Sequence, residues 1–481
     1  MSAFLPTLIF TLFFQFGGAC GCEDKPQVNT LAVVNGVKIV KQELGSEAQN
    51  TITQLQAEVI KARETELNRQ VNNLLLTTEA KKRGLTVQQL LQIEVFGKVA
   101  DPTEAETEAF YKERKQHIAE SYKTIRPQIV SLIRSEQEQL EALRLSNSLR
   151  AAANLVVLIP NVTPPTNQED LNRVFVTVNG QAITSRDIED ALLPLVFRVQ
   201  LQVYNVRKQD LDLRINDMLL EQEAKKRDKT PTELLENEVS SKMPIITDQQ
   251  AKVFYDQNKE KIHESFDDVK LPIVKLLTGR EEQKITNAFA MRLRENAAVQ
   301  IYLTPPESPV FNISTFDQPT RGNPKALVTV VEFTDLECPS CAQEYPELEK
   351  LITEFGAQVM FVVRDFPLKQ HTNALPAAIA AEAAREQNKY WEYVSLLYSH
   401  QSALKPDDLK SYASQLGLDR QRFDIALTNP LLSDRVQRDI TDGNKLAIAA
   451  TPTFFVNGRL VEDPSYASLK SAIETALKQI H

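Results

Sequence analysis

The stretch Leu327-Val328-Thr329-Val330-Val331-Glu332-Phe333-Thr334-Asp335-Leu336-Glu337-Cys338-Pro339-Ser340-Cys341-Ala342-Gln343-Glu344-Tyr345 decides the reading of this chain. It opens as an apolar, β-branched run of strand type, and the residues from Ala342 to Tyr345 suit a helix. Cys338 and Cys341 stand at Cys-x-x-Cys spacing at the junction. Far downstream, Thr451-Pro452 enters a second apolar run, Phe454-Phe455-Val456, closed by Asn457-Gly458. Two thiols at a strand-to-helix junction point to thiol–disulfide exchange. The unpaired N–H groups and dipole of a helix start favour a thiolate at Cys338, below the free thiol pKa of about 8.5. Cys338 is therefore expected to be the attacking, exposed sulfur. Cys341, one turn further in, is expected to be more buried and to resolve the mixed disulfide. Pro339 suits the first helical turn, where its missing N–H costs nothing.

At 481 residues, about three domains are expected. The composition, 42% hydrophobic and 25% charged with net charge −9, is that of a soluble globular protein. It offers no excess of Lys and Arg to neutralise phosphates, so nucleic acid is not the expected partner. Four cysteines are present: Cys20, Cys22 and the Cys338/Cys341 pair. None is left for a structural disulfide, and no second Cys or His pair stands at zinc-ligand spacing, so no metal is expected. The only reactive group expected is the Cys338–Cys341 disulfide, with no other cofactor. The five histidines add nothing to this reading: His371 reads as a loop residue, and His117, His263, His400 and His481 as solvated.

Residues 1–22 read as a targeting segment. Ala3 to Phe16 is almost wholly apolar but shorter than the about 20 residues that span a bilayer. Gly17-Gly18-Ala19-Cys20 follows. Small residues running into a cysteine resemble a bacterial lipoprotein signal, with Cys20 as the lipid-modified residue. The segment before the apolar run has no Lys or Arg, and Gly17 stands where such signals usually carry Leu. A soluble exported protein is the alternative, and Cys22 a second acceptor. Either reading implies a compartment in which disulfides persist.

The middle of the chain is duplicated. Asn35-Gly36 matches Asn179-Gly180, an offset of 144 (179 − 35). The same offset carries Ala80-Lys81-Lys82-Arg83 onto Ala224-Lys225-Lys226-Arg227, and Phe110-Tyr111 onto Phe254-Tyr255. An ungapped register over residues 31–160 and 175–304 marks two copies of one unit. Each opens with a strand, an Asn-Gly hairpin turn and a second β-like run. Helical segments follow, with capping boxes at Thr103/Glu106 and Thr247/Gln250, and each copy ends in a β-like run and prolines. The "VNG" opening, the "EAKKRG" helix end and the "AFYKERK" and "VFYDQNK" segments resemble the N-terminal chaperone module of SurA, PrsA and PpiD type folding factors. That resemblance implies a helical, partly apolar cradle for unfolded clients. Too few residues separate Ile118 from Ile129, or Ile262 from Ile273, to hold the parvulin isomerase domain such proteins often insert.

Residues from about 320 to 481 resemble the DsbA-like branch of the thioredoxin superfamily. The match is carried by "GNPKALVTVVEFTDLECPSC", "VMFVVRDFPLKQH" and "ATPTFFVNGRLV", with a long helical stretch between His371 and Ile448. The resemblance implies that Glu332 is a buried carboxylate relaying protons for the inner cysteine. It implies that Pro452 is a cis-proline facing the disulfide, and that the backbone of Thr451 pairs with an extended client. Pro339 and Ser340 complete the expected client-binding residues. Strong oxidants of the family often carry His between the cysteines. Here Pro-Ser stands there, and Asp335 and Glu337 precede Cys338, so a less oxidising potential is expected.

The expected fold is multidomain: residues 27–165 and 170–308 as two mainly α-helical SurA-like modules with small β hairpins, 309–322 as linker, and 323–481 as an α/β thioredoxin fold with a helical insertion. The expected function is an exported, lipid-anchored thiol–disulfide oxidoreductase of the periplasm or cell envelope, acting on unfolded, cysteine-containing exported proteins. A membrane quinone-linked redox partner is implied for an oxidase. A redox-sensing holdase without turnover and a periplasmic thiol reductase are the alternatives.

Overall fold

A computed structural model describes residues 29–480 except 119, 260 and 261. The expected leader, with Cys20 and Cys22, lies outside the described residues. The first copy comprises β1 (Thr30–Val34), β2 (Val37–Val40), α1 (Ser46–Lys82), α2 (Val87–Glu94), α3 (Glu104–Arg114), α4 (Tyr122–Ala152) and β3 (Leu155–Val157). The second repeats the order with β4 (Val174–Val178), β5 (Gln181–Thr184), α5 (Ser185–Lys226), α6 (Pro231–Glu238), α7 (Asp248–Gln257), α8 (Phe266–Glu295) and β6 (Val299–Ile301).

Local chemistry accounts for these elements. At both hairpin turns the Asn and the Gly have positive φ: 49° and 84° at Asn35-Gly36, 51° and 85° at Asn179-Gly180. That is the backbone a two-residue primed turn requires. Thr86, Thr103, Thr230 and Thr247 each close a capping box with a Gln or Glu three residues on. Each such cap is worth about 1 kcal/mol. The ion-pair pattern Glu79–Arg83–Glu94–Lys98 recurs as Glu223–Arg227–Glu238–Lys242. The Tyr111 hydroxyl donates to the Glu120 carbonyl as the Tyr255 hydroxyl does to that of Glu264. The 144-residue offset therefore extends to individual side-chain bonds.

The strand pairing crosses between the copies. β4 pairs with its hairpin partner β5 and with β3 of the first copy, Val156 opposite Thr177. β1 pairs with β2 and with β6 of the second copy, Val33 opposite Gln300. The turn asparagine locks each exchange. Asn179 Oδ1 accepts from the Asn154 N–H at 2.9 Å, and Asn35 Oδ1 from the Ala298 N–H at 2.9 Å. Val176, Val178 and Ile183 of the second hairpin form one core with Val71 and Leu75 of α1. β3 and β4 are consecutive strands, and the loop between them is far shorter than the chain from β1 to β3, so their pairing costs less chain entropy. β1 and β6 are then the strands that remain.

Two compact units result, each discontinuous in sequence. One takes the described residues up to Asn50 with Tyr204–Thr304, the other Thr51–Val203 with Pro305–His481.

The C-terminal region contains β7 (Thr320–Gly322), β8 (Val328–Thr334), α9 (Pro339–Phe355), β9 (Val359–Asp365), α10 (Ala374–Arg385), α11 (Tyr390–Ser399), α12 (Pro406–Gln415), α13 (Arg420–Ala426), α14 (Pro430–Lys445), β10 (Thr453–Val456), β11 (Arg459–Val461) and α15 (Tyr466–Lys478). The sheet order is β11-β10-β8-β9-β7, with β8 and β9 parallel. β8 is covered on both faces. Val328 and Val330 meet Leu348 and Leu351 of α9 and Leu469 and Ile473 of α15. Val331 and Phe333 join Val362, Phe366 and Phe455 on the other face. The helices α10 to α14 stand between β9 and β10, and the alanines of α10 let them pack closely around the cysteines.

Residues 309–322, expected as linker, lie against this sheet. The Phe311 N–H donates to the Gly458 carbonyl at 2.8 Å, and β7 is the edge strand beside β9. The Phe311 ring meets Phe455 edge-on at 5.9 Å and Phe197 of α5 at 6.2 Å. Removing so buried a ring leaves a cavity. Phe311→Ala is expected to lower the unfolding free energy by about 3 kcal/mol, measured in urea.

Candidate active site

Period-2 alternation along β8 sorts its side chains. Val328, Val330, Glu332 and Thr334 face one way, with Glu332 and Thr334 buried at 6% and 2% exposure. The strand ends in a turn held by Asp335, whose carbonyl accepts the Cys338 N–H at 3.1 Å. Cys338 is the N-cap of α9, with extended backbone, and Pro339 is its first helical residue. The Cys338 carbonyl accepts from the Ala342 N–H at 3.2 Å and from Gln401 Nε2 at 2.8 Å.

Both cysteines are thiols in this structure. Cys338 keeps 6% of its surface and Cys341 1%. The outer sulfur is thus the more accessible, but it is far less open than its expected exposure. The loop before β10 covers it: the Cys338 thiol donates to the Thr451 carbonyl at 3.4 Å. The Thr451–Pro452 bond is cis. Cys338, Cys341, Glu332, Thr451, Pro452, Pro339 and Ser340 are therefore drawn from β8, the start of α9 and the loop before β10.

The electrostatics separate the two sulfurs. The hydrogen bond from Cys341 draws the Cys338 pKa down to about 5 against the effect of burial, with help from Thr451 and the N–H groups of Cys341 and Ser340. Burial, then the bond to Cys338 and the charge of Glu332, push the Cys341 thiol far up. Burial raises the Glu332 carboxyl from an ordinary 4.5 to about 7, opposed by its hydrogen bond with Thr334. The Thr334 hydroxyl also lies 2.7 Å from that of Tyr398. Beneath Cys341 there is thus a small buried polar network, held by strand alternation on one side and α11 on the other.

Several residues of the site lie outside the sequence-based set. The Asp335 carboxylate accepts from the N–H groups of Glu337 and Leu368, each at 2.8 Å, and pairs with His371 Nδ1 at 2.8 Å. Glu337 accepts from the Asn373 N–H and side chain at 2.6 and 2.8 Å. The two carboxylates expected to oppose the Cys338 thiolate are thus engaged by the loop after β9. His371, read as a plain loop residue, belongs to the turn before Cys338. One sequence signal could have found it. Parallel neighbours place their C-terminal loops side by side, and pairing β8 with β9 brings the residues after Thr334 next to those after Asp365.

Residues 314–475 match the family model described as Thioredoxin. A Na(+)/H(+) antiporter NhaA 3 from Salinispora tropica is 41% identical over 158 residues, covering 32% of this chain and 24% of the relative. A Na(+)/H(+) antiporter NhaA 1 from Salinispora arenicola is 44% identical over 140 residues, covering 29% and 21%. The chain spans about a quarter or less of the length of these curated relatives. Among solved structures, a thioredoxin-like oxidoreductase from Silicibacter pomeroyi is 30% identical, with a TM-score of 0.32 and 34% and 92% of the two chains covered. Oxidised BdbD from Bacillus subtilis is 26% identical, with a TM-score of 0.33 and 36% and 100% covered. The family match and the sheet order give the C-terminal region a thioredoxin-like fold, which supports a disulfide-handling role.

Proposed function

We propose that this chain is an exported thiol–disulfide oxidoreductase that forms or reshuffles disulfides in cysteine-containing clients. The observation that carries the proposal is the split pair: Cys338 at the start of α9 with its pKa drawn down to about 5, above a buried Cys341 pushed the other way. In the oxidising direction a client thiolate attacks Cys338 of the disulfide. The Cys338–Cys341 bond breaks, and Cys341 leaves as a thiolate that takes a proton from Glu332. A second client thiolate attacks the client sulfur of the mixed disulfide, and Cys338 leaves as a thiolate. Two electrons pass from the client dithiol to the pair. The Thr451 backbone, Pro339, Ser340 and Pro452 frame the client sulfur. The two helical copies act as SurA-type modules that hold the unfolded client. Cys20 anchors the protein to the membrane of the cell envelope, and a quinone-linked oxidoreductase there reoxidises the pair.

The reduction potential against glutathione tests this reading. A Cys338 pKa of about 5 lies between about 7 for a thioredoxin-type reductant and about 3.5 for the strongest oxidants. The potential is accordingly expected between about −270 and −120 mV, nearer the isomerase value of about −180 mV. A value at about −270 mV would reverse the proposed electron flow. A pair with no reversible couple would leave only the holdase reading.

A further inference from the structure

The exchange steps above leave His371 unused, yet the fold fastens it to the reacting turn. Asp335 does this with two groups. Its carbonyl accepts the Cys338 N–H at 3.1 Å, and its carboxylate takes His371 Nδ1 and the Leu368 N–H at 2.8 Å each. The Asp335 side chain is wholly buried and that of His371 about one-fifth exposed. Two further bonds, from Asn373 to Glu337, tie down the other end of the loop. The imidazole is therefore placed by the same residue that places the Cys338 backbone. Partial burial disfavours its charge. The hydrogen bond and charge of Asp335, with Cys338 and Glu337 behind it, outweigh this and raise its pKa.

We propose that His371 is a positioning cation for Cys338: protonated and held by Asp335, it favours the Cys338 thiolate over the disulfide, strengthens the pair as an oxidant and makes that strength depend on pH. The inference rests on the oxidoreductase reading. When a client dithiol is oxidised to its disulfide and the Cys338–Cys341 disulfide is reduced, the Cys338 thiolate is the charge that appears. A cation held by the residue that also holds the Cys338 N–H stabilises only the reduced product. Between the cysteines themselves stand Pro339 and Ser340, neither of which carries a charge. The charges that act on His371 are those of Asp335 and Glu337 of the turn and of Cys338, the N-cap of α9, and of these Asp335 is in direct contact.

The test uses the full chain and the glutathione couple. In His371→Gln, the equilibrium constant for oxidation of glutathione by the pair should fall about tenfold near neutral pH, about 30 mV toward the reductants. The difference from wild type should disappear at alkaline pH, where the wild-type imidazole is neutral. His371→Lys should keep the neutral-pH equilibrium constant of the wild type without that pH dependence. Linkage supplies a second readout that needs no variant: by NMR, the wild-type imidazole should titrate at higher pH in the dithiol form than in the disulfide form. Equal titration in the two redox forms, or a His371→Gln protein with an unchanged equilibrium constant at every pH, overturns the inference while the reversible couple survives. No reversible couple in wild type overturns the oxidoreductase reading itself, and the inference with it.

Discussion

Cys338→Ser is expected to abolish thiol–disulfide exchange, a loss of at least about a thousandfold, since removing a nucleophile removes the covalent route rather than weakening it. Cys341→Ala should behave differently. Its Cys338 can still attack or be attacked, but no neighbouring thiol resolves the product. Mixed disulfides with client proteins should accumulate, seen as slower bands on a non-reducing gel that vanish with reductant. The asymmetry follows from geometry: Cys338 sits at the helix start beneath the Thr451 carbonyl, while Cys341 is 1% exposed. Equal trapping by Cys341→Ala and by Cys338→Ala would contradict the assigned roles. The same Cys338→Ser protein addresses the helical copies, because neither cysteine lies in them. On the proposed client-holding role of these copies, suppression of client aggregation should persist in it. If its full biological activity persisted as well, the cysteines would not be the working part.

Much of this site was legible because it is local. Cys338, Pro339 and Cys341 are neighbours in one helical turn, and the helix start that acts on them is written in the same few residues. The capping threonines and the Asn-Gly turns were legible for the same reason: partner and residue lie within three positions. The contacts that escaped are long-range. His371 reaches Asp335 across 36 positions and Gln401 reaches Cys338 across 63. Neither residue carries a local signal, and both are placed by strand register and helix packing. The carboxylates show the same limit in another way. Asp335 and Glu337 beside a thiol suggest repulsion by composition alone, but their hydrogen bonds aim them at the loop after β9. The exchange of hairpins between the copies was hidden too, because repeats of the same outline offer each closing strand two similar partners.

Glu332→Leu should stabilise the C-terminal region while impairing it. Glu332 is 6% exposed, and its carboxyl is raised from 4.5 to about 7. The folded state therefore holds this proton more tightly than the unfolded state does. Stability from this group is fully present below about pH 4.5, is lost as pH rises toward 7, and is absent above it. At pH 8 the buried charge costs about 3 kcal/mol. Replacing it with leucine should recover most of that at pH 8 and little at pH 4, as read from urea unfolding of the reduced protein at the two values. The effect on exchange has the opposite sign. Cys341 is deeply buried and its thiol is pushed far up, so it requires a nearby group to take and return its proton. Loss of that group should slow release and re-formation of the Cys341 bond by about a hundredfold, the lower end of general acid–base contributions. Attack at Cys338 should change little, since the bond that lowers its pKa most comes from Cys341 and not from Glu332. The rate profile of the resolving step should also lose its inflection near pH 7. A variant that gained stability at pH 8 with an unaltered resolving step would make Glu332 a buried charge without a catalytic use, and would leave the proton on Cys341 to solvent.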